Sequence, residues 1–254
     1  MESRGSWLSA AFSPLVRNNE VHVWRAWLDL SPNEFDRLHR TLAPDELSRA
    51  ARLRLPEDQR RFVAGRAILR DILARYLKTK GSELRFCYRE FGKPDLEAGP
   101  GAGKLAFNLS HSHGIALYAI TRGRDIGIDV EQILPELADH DTARLFFSPR
   151  EIATLCGLPV NCRAEAFFEC WTRREAYVKA RGEGFATGLN GFDVSLGPNQ
   201  PAAVLRVGED PLEASQWSLH ALAPAPDYVG AVAVKGNDLL LRLWHWKPLS
   251  NLIA

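Results

Sequence analysis

A weak internal repeat constrains the fold of this 254-residue chain more than any other sequence feature. The strand-like residues 21–26 resemble residues 126–131, with a shift of 105 positions between them. The same shift places residues 43–47 onto residues 148–152, and both segments read as helix starts with Pro in the first turn. Because the matches keep their order, they indicate a duplicated unit rather than chance similarity between short strands.

Two further matches follow in the same order along the chain. Residues 61–62 match residues 166–167 near the front of two long helical patterns, and the apolar residues 114–120 match residues 228–234. The shift of about 105 residues between the copies is far longer than the period of a solenoid repeat, so each copy is predicted to be a subdomain with its own small sheet.

The repeat therefore predicts an α+β fold. We expect a pseudo-dimer of two similar subdomains, each a small, mainly antiparallel sheet packed with helices. The N-terminal subdomain is expected over residues 1–124 and the C-terminal subdomain over residues 125–254, which ends in an added segment at residues 239–254.

Composition narrows the classes of function. A chain with 46% hydrophobic and 25% charged residues is typical of soluble globular proteins, and a net charge of +1 argues against a nucleic-acid coat protein. No apolar stretch approaches the roughly 20 residues that span a bilayer, and the start lacks a signal-peptide core, so no membrane partner and a cytoplasmic location are expected. The cysteines are predicted to be free, buried hydrophobes: Cys87, Cys156, Cys162 and Cys170.

The first candidate chemistry lies in the strand-like residues 125–131. Apolar side chains alternate there with Asp129 and Glu131, so both carboxylates lie on one face, with Cα atoms about 7 Å apart. A hard cation such as Mg²⁺ between them would relieve their repulsion. The alternative is a solvated strand face, which this short motif alone would favour.

A second candidate lies in the predicted helix over residues 164–181. Glu175 falls on its apolar stripe, four residues after Trp171 and three before Val178, and a buried carboxylate needs a partner. Lys179, one turn further on, is a candidate. The alternative is an ordinary Glu-to-Lys pair, which suits an exposed face better.

Basic and polar residues form two further clusters. One cluster lies on the predicted helix over residues 57–80, where arginines could bind phosphate. The alternative, favoured for Arg60 and Arg70, is that the side chains extend along the protein surface. The members with the stronger case are Arg61, Arg66 and, in the following turn, Lys93. The other cluster begins where a strand ends, with Ser110 and His111; the His-x-His spacing there lacks a nearby third metal ligand.

Taken together, several of these segments resemble the motifs of a known protein family. Residues 108–112 (NLSHS), 127–131 (GIDVE) and 171–179 (WTRREAYVK) resemble the three motifs of Sfp-type 4′-phosphopantetheinyl transferases. Residues 61–66 and 92–94 resemble that family too, in the same order, and the similarity covers nearly the whole chain. Where this chain has Arg174 the family usually has Lys, so a planar, forked donor group replaces a point donor at that position.

The resemblance implies a pseudo-dimer with its active site between the halves. It implies transfer of the phosphopantetheine arm of coenzyme A to a serine hydroxyl of an apo acyl or peptidyl carrier protein, with release of adenosine 3′,5′-bisphosphate. Mg²⁺ (Mn²⁺ possible in its place) would be held by Asp129, Glu131 and Glu175. The expected catalytic residues are Glu175, as base, and Lys179. The expected coenzyme A contacts are Arg61, Arg66, Lys93, Ser110, His111, Arg174 and Lys179.

The resemblance also implies partners. The carrier, of fatty-acid, polyketide or nonribosomal peptide synthesis, should contact the segment that starts at Gln132 and ends at Phe147, where Arg144 and nearby Arg150 would steer an acidic surface. A monomer is expected. Two alternatives stand beside this interpretation: a non-catalytic coenzyme A- or carrier-binding protein of the same fold, and a metal-dependent phosphohydrolase.

Overall fold

The fold is known here from a computed structural model. It describes residues 6–9, 14–97, 105–182, 191–197 and 200–248. The first half of the chain contains β1 (Leu8–Ser9), β2 (Glu20–Trp27), α1 (Pro32–His39), α2 (Pro44–Ala50), α3 (Pro56–Leu77), β3 (Phe86–Tyr88), β4 (Pro94–Leu96), β5 (Leu105–Ser112) and β6 (Ile115–Arg122). The second half contains β7 (Ile126–Gln132), α4 (His140–Phe146), α5 (Pro149–Gly157), α6 (Val160–Arg181), β8 (Phe192–Val194), β9 (Val204–Val207), β10 (Trp217–Leu222), β11 (Tyr228–Lys235) and β12 (Leu240–His245).

Two main sheets lie at the centre. The larger has the order β1-β12-β2-β6-β5 and the smaller β10-β11-β7, while the hairpins β3–β4 and β8–β9 form separate ribbons. The β2–β6, β5–β6, β10–β11 and β7–β11 pairs are antiparallel, whereas β12 runs parallel to both β1 and β2. The predicted α+β class with mainly antiparallel sheets is therefore confirmed.

The alternation of side chains explains the layers. Val21 and Val23 of the first sheet and Ile126, Ile128 and Val130 of the second belong to one buried cluster between the sheets. The opposite faces of the two sheets pack on the long helices, α3 in the first half and α6 in the second. Strict alternation in β7 consequently turns Asp129 and Glu131 away from the central cluster and towards α6.

The repeat is visible in matching elements. The helices α2 and α5 begin at Pro44 and Pro149, separated by the shift of 105 found in the sequence. The helices α3 and α6 are both 22 residues long and differ by a shift of 104. Along the chain, α2 and α3 come between the antiparallel strands β2 and β6, and α5 and α6 come between the antiparallel strands β7 and β11. This order is the one that the duplicated unit predicts.

The ends of the chain depart from the simple two-part division. The strand β12, which falls in the predicted C-terminal subdomain, pairs with β2 in the sheet of the first half, from Leu240 opposite Glu20 to His245 opposite Arg25. The boundary near residue 124 stays a prediction. No helix among the described residues is long and apolar enough to cross a membrane.

The cysteines are free, as expected, but their burial is partly wrong. Cys170 is buried, Cys162 is half-buried, and Cys87 and Cys156 are exposed. The prediction failed because Cys87 lies on a two-stranded ribbon and Cys156 near the end of the short helix α5, and both places leave one face open to solvent.

Candidate active site

The site begins at a seam between two edge strands. β5 is an edge of the first sheet and β7 is an edge of the second, and side chains rather than a backbone ladder join them. Asn108 accepts a hydrogen bond from the Ile128 backbone N–H through Oδ1 at 2.8 Å. The Ser110 hydroxyl donates to Asp129 Oδ1 at 2.7 Å. The motifs at 108–112 and 127–131 are therefore brought side by side.

A second serine repeats this contact one step along the seam. Ser112 Oγ donates to Glu131 Oε2 at 2.7 Å and accepts from the Gln132 backbone N–H at 3.2 Å. Because serines two residues apart face carboxylates two residues apart, the period-2 pattern of each strand fixes the alignment of the two halves.

The helix α6 supplies the third motif. Lys179 Nζ lies 2.6 Å from Asp129 Oδ1 and donates to Ser110 Oγ at 3.1 Å. Helix and strand come this close because position 127 is glycine: a Cβ there would collide with the Ala176 carbonyl oxygen and the Ala180 nitrogen.

Burial and charge strongly perturb the acidic groups. Burial, reinforced by Asp129, raises the pKa of Glu131 to about 7, although the Ser112 hydrogen bond and Lys179 oppose this. Burial also raises the pKa of Glu175 to about 7, with Asp129 and Glu131 adding to it and Lys179 opposing it. Burial alone would lower the pKa of Lys179, but Asp129 and the other two carboxylates outweigh it, so the net shift is upward.

The same carboxylates are candidate ligands for a metal ion. As the described side chains are arranged here, no three His, Cys, Asp or Glu residues form a group that could hold one. Asp129 Oδ2, however, is buried without a hydrogen-bond partner among the described residues, which is unusual for a carboxylate oxygen. An orphaned anionic oxygen beside two carboxyls of raised pKa fits a hard cation, with Lys179 now providing the positive charge.

A pocket of about 290 Å³ adjoins this cluster. Its walls are α2, α3, the β3–β4 hairpin, the end of β5 and the end of α6. The polar side chains that line it are Arg49, Arg66, Tyr88, Ser110, His111 and Lys179. Ser110 and Lys179 also contact Asp129, so the pocket leads directly to the carboxylates.

The arginine end of the pocket is highly organised. Arg66 is 5% exposed, its Nε donates to Glu46 Oε1 at 2.7 Å, and its Nη2 lies 3.3 Å from the Tyr88 hydroxyl. The guanidinium of Arg49 lies 3.6 Å from the centre of the Tyr88 ring. Two cationic groups around one phenol make this end suitable for an anionic, planar ligand.

His111 lines the pocket at the end of β5, where the residue is partly open to solvent. The surrounding protein still desolvates its imidazole, and this desolvation together with the Lys179 charge lowers its pKa below the ordinary value. A neutral imidazole can donate and accept at once, which suits a contact with a phosphate or a base.

Three predicted contacts lie elsewhere in this structure. Arg61 does not line the pocket; its Nη2 is 2.6 Å from Glu57 Oε1 on the preceding turn. Lys93 Nζ donates to the backbone carbonyls of Ile126 and Lys179, at 2.8 and 2.7 Å, and burial lowers its pKa to about 8. Lys93 thus ties the β3–β4 hairpin to the second half.

Arg174, expected to bind phosphate beside Lys179, contacts a different partner in this structure. Its guanidinium is buried on the α5 side of α6 and lies 2.8 Å from Glu151 Oε2 and 2.9 Å from Oε1. Arg174 and Lys179 are five residues apart, so at about 100° per residue their side chains leave α6 about 140° apart. The helix therefore presents Lys179 to Asp129 and Arg174 to Glu151.

Sequence reasoning missed Arg49 and Tyr88. Arg49 belongs to the short helix α2 and Tyr88 to a three-residue strand, and neither carries a periodic signal. The sequence did hold a signal for the neighbouring Arg66–Glu46 pair. Arg66 lies on a buried helical face, where a cation requires a carboxylate, and Glu46 lies at the start of the preceding helix.

The segment expected to meet the carrier follows β7. It contains a 3₁₀ turn (Pro135–Leu137) and α4, and its Arg144 is exposed. Leu137 and Leu145 are also exposed, at 55% and 72%, so the surface is apolar as well as basic.

Comparison with known proteins agrees with this geometry. The profile of the "4′-phosphopantetheinyl transferase superfamily" matches residues 125–233, and that of "4′-phosphopantetheinyl transferase, N-terminal" matches residues 25–121. The chain is similar to 4′-phosphopantetheinyl transferase HetI of Nostoc sp. (strain PCC 7120), with 40% identity across 95% of this chain and 98% of that protein.

Two other relatives show the same likeness at lower identity. A putative 4′-phosphopantetheinyl transferase of Synechocystis sp. (strain PCC 6803) is 32% identical across 70% of each chain. The 4′-phosphopantetheinyl transferase Sfp of Bacillus subtilis (strain 168) is 29% identical across 69% of this chain and 77% of its own length. With motifs, fold and relatives in agreement, this chain belongs to the 4′-phosphopantetheinyl transferase family of enzymes.

Proposed function

We propose that this enzyme transfers the 4′-phosphopantetheine arm of coenzyme A to a serine hydroxyl of an apo acyl or peptidyl carrier protein. The observation that carries the proposal is the junction at Asp129, where Ser110 of one half and Lys179 of the last motif share one carboxylate oxygen. Ser110 and Lys179 also line the pocket, so a ligand bound there could present its reactive end to the carboxylates.

In the proposed complex, coenzyme A would enter the pocket in one orientation. Its nucleotide end, which carries the 3′-phosphate, would lie among Arg49, Arg66 and His111, because charge-assisted bonds to phosphate are strong. The pyrophosphate would then reach Ser110 and Lys179. Arg61, Lys93 and Arg174 act indirectly or not at all in this arrangement, since each is engaged with another part of the protein.

Mg²⁺, or Mn²⁺ in its place, would be held by Asp129, Glu131 and Glu175, a set of oxygen donors with one orphaned oxygen. When bound, the ion would neutralise charge on the pyrophosphate and polarise it for attack. Lys179 contacts Oδ1 of Asp129 and leaves Oδ2 for the ion, whose charge would push the ammonium towards the phosphates.

Side chains of this protein can account for each bond and proton that changes in the reaction. The serine oxygen forms a bond to the phosphorus that bears the pantetheine, and the bond from that phosphorus to the oxygen of the nucleotide phosphate breaks. The leaving group is adenosine 3′,5′-bisphosphate, whose new charge Lys179 stabilises. Glu175 takes the serine proton, which suits a carboxyl whose pKa is about 7.

The carrier would dock on the segment between Gln132 and Phe147. Exposed Arg144 suits the acidic surface expected of a carrier, and exposed Leu145 offers an apolar contact beside it. We also propose that the enzyme acts as a monomer, because the seam between β5 and β7 already assembles the site within one chain. The expected cytoplasmic location is part of the same proposal.

Product analysis tests this function against both alternatives. Incubation with coenzyme A, Mg²⁺ and an apo carrier should release adenosine 3′,5′-bisphosphate in a one-to-one ratio with modified carrier. A carrier with Ala in place of the acceptor serine is the control and should release none. A binding protein would release no nucleotide in either case, and a phosphohydrolase would release nucleotide without the serine.

A further inference from the structure

A buried carboxylate in the first half holds two arginines at once. Glu46 is 1% exposed; its Oε1 accepts from Arg66 Nε at 2.7 Å, and its Oε2 lies 2.6 Å from Arg70 Nη2. Oε2 also accepts from the Ala43 backbone N–H at 3.0 Å, at the start of α2. The carboxylate therefore links the first turn of α2 to the middle of α3.

The second half repeats only part of this arrangement. Glu151 accepts from the Ser148 backbone N–H at the start of α5 and pairs with Arg174 of α6, in the places of Glu46 and Arg70. Counted from the helix starts, the counterpart of Arg66 is Cys170, which is fully buried. The Glu–Arg pair is therefore the duplicated structural contact, and Arg66 is an addition in the half that forms the pocket.

The two arginines of Glu46 face different surroundings. Arg70 is 1% exposed, and its Nη1 donates to the Gly81 and Leu84 carbonyls at 2.7 and 3.0 Å. Arg66 uses Nε for Glu46, which leaves the Nη edge of its planar guanidinium directed to the Tyr88 hydroxyl and the pocket. One carboxylate shared by two cations leaves positive charge over, and it is Arg66 that presents this charge to the pocket.

We propose that Glu46 is a positioning residue for substrate recognition, which orients Arg66 towards the 3′-phosphate end of coenzyme A. This inference rests on the proposed function. Glu46 contacts no substrate in it: its effect is to fix one edge of a long, flexible side chain, so that the ordering cost of that side chain is met before the ligand binds.

The test compares two matched variants, Glu46→Gln and Glu151→Gln. Each removes a buried carboxylate charge at the third residue of a short helix, so both should lower the unfolding temperature. KM is measured for coenzyme A and for its 3′-dephospho form, and binding of adenosine 3′,5′-bisphosphate is measured by calorimetry without turnover. Glu46→Gln should weaken coenzyme A and bisphosphate binding roughly tenfold, the size of a charged hydrogen bond, and leave the dephospho form nearly unchanged.

Glu151→Gln should leave the preference for coenzyme A over the dephospho form as in the wild type. In an Arg66→Ala background, Glu46→Gln should have no further effect on that preference. Glu46→Asp, which keeps the charge but shortens the reach, gives an intermediate preference and replaces Glu46→Gln if the latter does not fold.

Equal losses for both substrates, or an equal change of preference in Glu151→Gln, would overturn the positioning role. Failure of the proposed function looks different: the wild-type enzyme would neither modify a carrier nor bind the bisphosphate. An active wild type whose preference survives at Glu46 would overturn this inference alone.

Discussion

Lys179 Nζ and Asp129 Oδ1 are 2.6 Å apart, in a pair whose carboxylate is 3% exposed and whose lysine side chain is 30% exposed. The two residues come from α6 and β7, which meet without intervening side chains at Gly127. Lys179 thus holds Oδ1 of a carboxylate whose other oxygen, Oδ2, has no hydrogen-bond partner among the described residues. In the proposed function a metal ion would bind this same carboxylate, so the ammonium and the ion would repel each other.

That expected repulsion makes Lys179→Met informative. Without metal, the variant leaves Asp129 buried and unpaired, so we expect it to lose about 2 kcal/mol of unfolding free energy, less than for a fully buried pair because Lys179 is partly exposed. Adding Mg²⁺ should stabilise the variant more than the wild type, while turnover stays low. Thermal unfolding with and without Mg²⁺ measures both; equal Mg²⁺ stabilisation of the two proteins would argue against a shared carboxylate.

The raised pKa values of Glu131 and Glu175 predict how stability depends on pH. Their carboxyls hold protons up to about pH 7 in the folded protein, whereas in the unfolded chain they release them near 4.5. Between these values the folded state binds more protons, so the contribution of both groups to metal-free stability is largest near pH 4.5 and falls as pH rises to 7.

The measurement is the unfolding free energy of metal-free protein from pH 5 to 8. Glu175→Gln should flatten the decline relative to the wild type, whereas Glu90→Gln, at an exposed position, should not. Mg²⁺ should stabilise the protein increasingly above pH 7, because binding requires the charged carboxylates. A decline of the same slope in Glu175→Gln would contradict the assignment.

Gly127→Ala tests the approach of helix and strand. The added methyl would collide with the backbone at Ala176 and Ala180, so β7 and α6 must separate. We expect a loss of about 3 kcal/mol or more in unfolding free energy, as for an overpacked core, together with most of the activity. Gly157→Ala is the control, since its methyl would meet no atom within 4 Å. A similar loss of stability and activity in the two variants would contradict the need for glycine where β7 and α6 meet.

Charge reversal at Arg144 tests the carrier surface. Arg144→Glu should raise KM for the carrier several-fold and weaken its dependence on salt, without changing KM for coenzyme A. Arg52→Glu, an exposed position in the first half, is the matched control. Steady-state kinetics at two salt concentrations give the result; a change confined to coenzyme A would mean that the segment serves the nucleotide.

The parts of the site that sequence could predict are those governed by periodicity. Alternation placed Asp129 and Glu131 on one face of β7, and the helical stripe placed Glu175 on the buried side of α6. The repeat predicted the paired helices because each half must bury the same kind of apolar face.

The parts that sequence could not predict depend on contacts between distant segments. Arg174 and Lys179 share a helix and a motif, yet Glu151 of α5 holds the first and Asp129 of β7 the second. Lys93 carries a charge that suits a phosphate, and in this structure it donates to carbonyl groups at the end of α6 and the start of β7. Partner choice among cations is set by tertiary packing, which no local pattern records.

The central claim is that the three motifs form one site for transfer of the phosphopantetheine arm, with Glu175 as the proton acceptor. The most direct measurement is the intact mass of an apo carrier protein during incubation with coenzyme A, Mg²⁺ and either wild-type enzyme or Glu175→Gln. We predict that the carrier gains the mass of one phosphopantetheine arm, and that Glu175→Gln slows this gain roughly 10²–10⁴-fold even in excess Mg²⁺. A carrier whose mass does not change with the wild type, or a variant restored to the wild-type rate by Mg²⁺, would contradict the account.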